Sequence, residues 1–184
     1  TNALLAIINN ILDLATIDAG AMTLDLGPVD LRKTVAEATA GLQDRLEREG
    51  IALRVEIDPS LGSFVADERR IVQVLYNLLA NAVGFSPPSS TVAINAWRSD
   101  GSVMFSVSDS GPGIPAEVKD KVFDWFESHA NGSRHRGAGL GLSLVRSFVE
   151  LHGGKVRVDS AAGRGTTVTC EFPADHNLHR NAAE

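Results

Sequence analysis

A chain of 184 residues, 43% of them apolar, has room for one domain of ordinary size with an appendage, and it can bury a core without covalent staples. Its formal net charge of -6, with no dense Lys/Arg block, argues against nucleic acid or an anionic membrane as the main partner. A single cysteine, Cys170, excludes an internal disulfide and a cysteine-rich metal site; its place in an alternating apolar stretch marks it as a buried small hydrophobe.

The first predicted element is a helix. Leu4, Leu5, Ile7, Ile8, Ile11, Leu12, Leu14, Ala15 and Ile17 recur at spacings of three and four, and Gly20 should stop it. The stripe is too wide for a helix that packs only on its own domain, so a coiled-coil or bundle partner is expected, a second copy or a further helix. The chain opens on Thr1 within this pattern, without a basic n-region or small-residue cleavage site, and reads as a cytoplasmic fragment of a longer protein. Residues 21–29, with Gly27-Pro28, form an extended connector and a candidate boundary. A second helix is predicted over 31–49, introduced by Asp30 as N-cap and closed by Gly50.

The pattern then switches to period two through Ile51, Leu53, Val55 and Ile57, and a short strand follows around Phe64-Val65. Asp67 caps a helix carrying Ile71, Val74, Leu75, Leu78 and Leu79, which Pro87-Pro88 ends near Ser86. Strands over 91–97 and 103–108 form a hairpin through Ser99-Asp100-Gly101, and a short helix is expected over 116–123. After a polar loop, 129–136, a helix runs over 140–151, stopped by Gly153-Gly154. Strands over 155–159 and 166–172 close the chain, and the polar tail 174–184 is expected to be disordered. Helices separated by antiparallel hairpins predict an α+β fold: a two-layer α/β sandwich, its mixed, mostly antiparallel sheet covered on one face by helices, with a bundle-type helix at the N-terminus.

Three stretches carry candidate chemistry. In Asp109-Ser110-Gly111-Pro112-Gly113 an acceptor-only carboxylate stands where a strand gives way to a loop, and the glycines allow φ > 0 and a flat ligand close to the backbone; an ordinary tight turn has the same composition. Asn77 and Asn81, four apart, share one face of a helix and can offer hard oxygen ligands to Mg²⁺, although two solvated amides would look alike. Their neighbours Leu78, Leu79 and Ala80 are apolar, which crowds that face. Gly137-Ala138-Gly139-Leu140-Gly141-Leu142 precedes a helix, where backbone N–H groups form an anion-binding cup, but it lacks both the Walker A ending and the dinucleotide spacing. Between the glycine clusters, Phe123-Asp124-Trp125-Phe126 and a loop with Arg134, His135 and Arg136 have the composition of a lid over an anion, or of a surface loop. His152, at a helix end, reads as a dipole partner, not a catalyst, and no Gly-x-Ser-x-Gly elbow occurs.

In this order the motifs closely resemble the catalytic ATP-binding domain of sensor histidine kinases, within the Bergerat-type ATPase superfamily shared with gyrase B and MutL. Residues 77–86 resemble the N box, 109–113 the G1 box, 123–126 the F box, 137–142 the G2 box and 163–167 the closing hairpin, in which a threonine, Thr166 or Thr167, lies near adenine. The resemblance implies the cofactors ATP and Mg²⁺. Asp109 would accept the adenine amino hydrogen bond, Gly111 and Gly113 would make room for the ring, and Asn81, helped by Asn77, would hold the metal. Gly137, Gly139, Leu140, Gly141 and Leu142 would frame the phosphates through backbone donors, and Arg134 or Arg136 would neutralise their charge. It also implies a remnant of the dimerisation and phosphoacceptor bundle at 1–20, a linker at 21–29, a catalytic domain at 30–173, a homodimer through the first helix and a response regulator as partner. Gly84 stands where the family carries a basic residue, and the phosphoacceptor histidine motif is absent, so this chain cannot phosphorylate itself in cis. A pseudokinase or scaffold is the alternative reading; a gyrase-like ATPase is disfavoured because its catalytic glutamate position is Asn77 here.

Overall fold

Residues 2–124 and 140–173 are described by a computed structural model of the chain. Trp125, Phe126, Arg134, Arg136, Gly137, Gly139 and the tail 174–184 therefore lie outside the described residues.

Helix α1 (Asn2–Asp18) ends where Gly20 adopts φ 65°, as its position predicts. The end of the extended connector forms strand β1 (Gly27–Asp30), which pairs antiparallel with β3 (Ser63–Ala66). The Asp30 carboxylate then accepts the Arg32 N–H at 3.0 Å and starts α2 (Leu31–Ala40).

The single helix expected over 31–49 is two. It breaks at Gly41-Leu42 and resumes as α3 (Gln43–Glu49), closed by Gly50 at φ 64°. A Cβ on Gly41 would lie 3.1 Å from Cε2 of Tyr76, so the ring of a later helix packs against the chain where the two helices meet. The break also lets Leu42 and Leu46 both turn into the core.

Strand β2 (Ala52–Ile57) lies at one edge of a five-stranded sheet of order β2-β4-β5-β7-β6. Its neighbour β4 (Thr91–Ser99) runs parallel to it, because α4 (Glu68–Phe85) makes the crossover between them. The remaining pairs, β4 with β5 (Ser102–Asp109), β5 with β7 (Thr166–Pro173) and β7 with β6 (Lys155–Ser160), are antiparallel. The short helix expected over 116–123 is a 3₁₀ helix at Ala116–Lys121, and α5 spans Gly141–Leu151.

Helices α4 and α5 lie on the sheet. Ile71, Val74, Leu75, Leu78, Leu79, Ala82 and Val83 of α4, with Leu144, Val145, Phe148 and Val149 of α5, are almost fully buried in one cluster with Ile94, Phe105, Val107, Val168 and Phe172. At its centre Phe105 and Phe172 stack with ring centroids 5.4 Å apart. Each such side chain contributes roughly 1.5–3 kcal/mol by leaving water, so this layer fixes where α4 and α5 lie. Helix α1 joins the same core through Leu14, fully buried, while Leu4, Leu5, Ile8, Ile11 and Leu12 stay exposed. Among the described residues no helix is long and apolar enough to cross a membrane.

Candidate functional site

The two asparagines are placed by the cap and the core. Asp67 stops the chain's extended run and accepts the Arg70 N–H, so α4 starts in a fixed phase. With Leu78, Leu79 and Ala82 buried, Asn77 and Asn81 emerge half-buried, one turn apart, beside the start of α5. A Cβ on Gly141 would stand 3.7 Å from Oδ1 of Asn77 and 3.7 Å from Nδ2 of Asn81, so both amides and the helix start share one wall. Nδ2 of Asn77 is buried with no hydrogen-bond partner among the described residues. Amide O and N are distinguished only by their partners, so this side chain can equally turn an unpaired oxygen to the same place. No side chain caps the start of α5 among the described residues, which leaves its first N–H groups as donors. The side chains of Leu140 and Leu142 point into the core, so only their backbone can face a ligand.

Asp109 is the last residue of β5, paired in register with Thr166 of β7. Burial pushes its carboxyl above the usual carboxylate range, against the backbone N–H groups of Gly111 and Thr166, which favour the charged form. The Gly111 bond is 2.8 Å.

The glycines around it include the expected positive φ, at Gly113, and meet backbone from elsewhere in the chain. A Cβ on Gly111 would lie 2.7 Å from the carbonyl oxygen of Phe85, at the end of α4. Gly113 has φ 74°, and its Cβ would run into the carbonyl of Ala161; Gly165, at φ 77°, would run into that of Asp109. These glycines are required by the chain's own backbone, with or without a flat ligand. They clamp three segments together: the end of α4, the loop after Asp109 and the turn 161–165. The Gly163 N–H donates to the carbonyl of Pro112 at 2.7 Å within that clamp.

Neither threonine hydroxyl stands alone. Thr167 Oγ1 lies 2.8 Å from Ser108 Oγ, and Thr166 Oγ1 lies 2.9 Å from Ser160 Oγ. Ser108 and Ser160 were missed by sequence reading; the available signal was a small hydroxyl residue at each strand end flanking a glycine-rich turn. His152 stands at the end of α5, where its position in the sequence places it. It is buried, its Nδ1 lies 2.6 Å from the Phe148 carbonyl oxygen, and its Nε2 accepts the Asp67 N–H at 3.0 Å, so the ring joins the end of α5 to the cap of α4.

Phe123 packs partly into the core, with the Arg146 guanidinium 5.6 Å from its ring centroid. Gly84 is half-buried in α4 and brings no charge to the site. Among the described residues two open grooves, about 290 and 670 Å³, lie along α2, α3 and β2, away from Asn81 and Asp109, and hold no candidate catalytic group.

Comparison with known proteins shows the family and the fold. Residues 66–176 match the family described as histidine kinase-, DNA gyrase B- and HSP90-like ATPase. The circadian input-output histidine kinase CikA of Synechococcus elongatus is 38% identical over 174 residues, which cover 92% of this chain and 23% of that protein. Histidine protein kinase DivJ of Caulobacter vibrioides is 37% identical over 171 residues, covering 92% of this chain and 29% of that protein. Thus the chain spans about a quarter of the length of these relatives. Full-length ShkA, solved in complex with AMPPNP, superposes with a TM-score of 0.81 at 33% identity, over 92% of this chain and 35% of that one.

Proposed function

The chain belongs to the histidine kinase-, DNA gyrase B- and HSP90-like ATPase family, and on that footing we propose that it is the Mg-ATP-binding catalytic domain of a sensor histidine kinase, which delivers the γ-phosphoryl group to a bundle histidine outside this chain for relay to a response-regulator aspartate. The observation that carries the reading is the Asp109 carboxylate, half-buried at a strand end and held by backbone N–H groups, on the loop that touches the end of the helix bearing Asn77 and Asn81.

Asp109 accepts the hydrogen bond of the adenine amino group, a contact that rejects bases lacking that donor. Backbone donors at the start of α5, with Gly139 and Gly141, receive phosphate oxygens, and Arg134 or Arg136 offsets their charge. The residues fit Mg²⁺: amide oxygens of Asn81 and Asn77 are hard ligands, and the unpaired amide atom of Asn77 gives one of them a reason to turn toward the metal. When bound, Mg²⁺ neutralises charge on the triphosphate. The protein's part is then positioning, since phosphoryl transfer needs little covalent chemistry from it. The exposed apolar face of α1 is the homodimer contact of the full-length protein, and the compartment is the cytoplasm.

Titration calorimetry with ATP, with and without Mg²⁺, tests this on wild type and Asp109→Ala. Wild type binds, more tightly with the metal. The variant loses on the order of 1–3 kcal/mol, enough to abolish measurable binding if the wild-type affinity is modest. No heat from wild type at millimolar ATP overturns the reading. Gly84 supports one second reading, a scaffold that binds nucleotide weakly and acts through partners; it predicts that Gly84→Lys tightens ATP binding without conferring phosphoryl transfer.

A further inference from the structure

Ser160, the last residue of β6, ties together the two loops that meet at Asp109. Its Oγ accepts the Ile114 N–H at 2.8 Å, donates to the Gly165 carbonyl at 2.9 Å and lies 2.9 Å from Thr166 Oγ1. A serine hydroxyl has one hydrogen and two acceptor sites. With the hydrogen on the Gly165 carbonyl, the lone pairs are left for the Ile114 N–H and the Thr166 O–H. Its bonding capacity is therefore filled, and the Thr166 hydrogen is held by Ser160.

The rest of the contact leaves no room for a substitute. Gly163 N–H to the Pro112 carbonyl closes the same pair of loops, and Cβ atoms on Gly113 or Gly165 would collide with backbone across the junction. Asp109 sits where the two loops part: the Gly111 N–H of one and the Thr166 N–H of the other hold its carboxylate. A shift of either loop re-aims it.

We propose that Ser160 is a positioning residue for base recognition, which locks the loop 110–114 to the turn 163–166 so that the Asp109 carboxylate is already aimed at the amino group of adenine. The role rests on the adenine-nucleotide reading above, and Ser160 itself does not touch the nucleotide. Its effect is preorganisation: a loop fixed before binding loses little freedom on binding, and a carboxylate held by two N–H groups cannot turn to suit another base. A serine that only closed its own hairpin would stabilise the fold and leave base preference alone.

The experiment uses the whole chain as wild type, Ser160→Ala and Ser160→Thr, titrated with Mg-ATP and with Mg-inosine triphosphate, whose base carries a carbonyl where adenine carries the amino group. Hydrogen exchange is followed at the amides of Ser110, Gly111, Gly113 and Ile114. In Ser160→Ala the affinity for ATP falls about tenfold, as expected for one net hydrogen bond of aim, while inosine triphosphate binding changes little, so the preference between them narrows. The Ile114 amide exchanges faster and α4 does not. Ser160→Thr keeps the hydroxyl and restores the preference. Equal losses for both nucleotides, or an unchanged preference with faster loop exchange, overturn the positioning role and leave ATP binding standing. A wild type that binds no ATP overturns the nucleotide reading, and this role with it.

Discussion

At Asp109 the requirement of the site works against the stability of the fold. Burial raises its carboxyl pKa above the usual carboxylate range, outweighing the Gly111 and Thr166 N–H groups. The folded state therefore binds this proton more readily than the unfolded chain. The carboxyl's contribution to stability is greatest below the unfolded value and declines as pH rises through the raised one. Urea denaturation of ligand-free protein between pH 3.5 and 7 checks this: relative to Asp109→Asn, wild type should lose stability as pH rises, and parallel curves for the two would disprove it. Nucleotide affinity should move the other way, strengthening as the carboxyl ionises. Asp109 was legible in the sequence because an acidic residue at a strand end before Gly-x-Gly is a local signal. The positive φ of Gly113 was legible too, but not the backbone that crowds the loop, because the carbonyls of Phe85 and Ala161 reach Gly111 and Gly113 only in the folded chain.

Among elements, the helices separate what local pattern can fix from what it cannot. Asp30 and Asp67 cap α2 and α4 as read, since a cap acts within three residues. The break between α2 and α3 is not legible in the sequence because Leu31, Val35, Ala38, Leu42 and Leu46 keep helical spacing straight across it. Helix α1 was legible as an amphipathic helix, but not its seat. Asp13 Oδ2 accepts from Gln73 Nε2 at 3.1 Å and pairs with Arg70 Nη1 at 3.4 Å, and the Arg70 guanidinium also stands 4.9 Å from the Phe148 ring centroid. This polar contact, with Leu14 behind it, holds α1 to α4 and α5. Asp13→Ala should release part of that hold. A half-buried pair of this kind contributes about 1 kcal/mol or less, so amide exchange along α1 should rise up to about fivefold while exchange in β5 and β7 stays unchanged. Unchanged exchange in α1 would mean that Leu14 alone seats the helix.

Over the whole molecule the same core that carries α4 and α5 supplies its own reporter. Cys170, the only cysteine, is fully buried on β7, and burial pushes its thiol far above the ordinary range. A thiol reagent needs both access and thiolate, and the native fold denies both, so labelling should proceed only through molecules that have opened the sheet from the helices. Any ligand that binds the native state and not the unfolded one lowers that population by the factor 1 + [L]/Kd. Mg-ATP at a hundred times its Kd should therefore slow labelling about a hundredfold, equivalent to roughly 2.7 kcal/mol of added stability. The effect would be global even though Asn81 and Asp109 lie at the edge of the helix layer, because α4 carries the asparagines and buries seven side chains in the core around Cys170. Labelling as fast as a free thiol would show that β7 opens without the rest of the fold. Slow labelling that Mg-ATP leaves unchanged would show that the nucleotide does not bind the native chain.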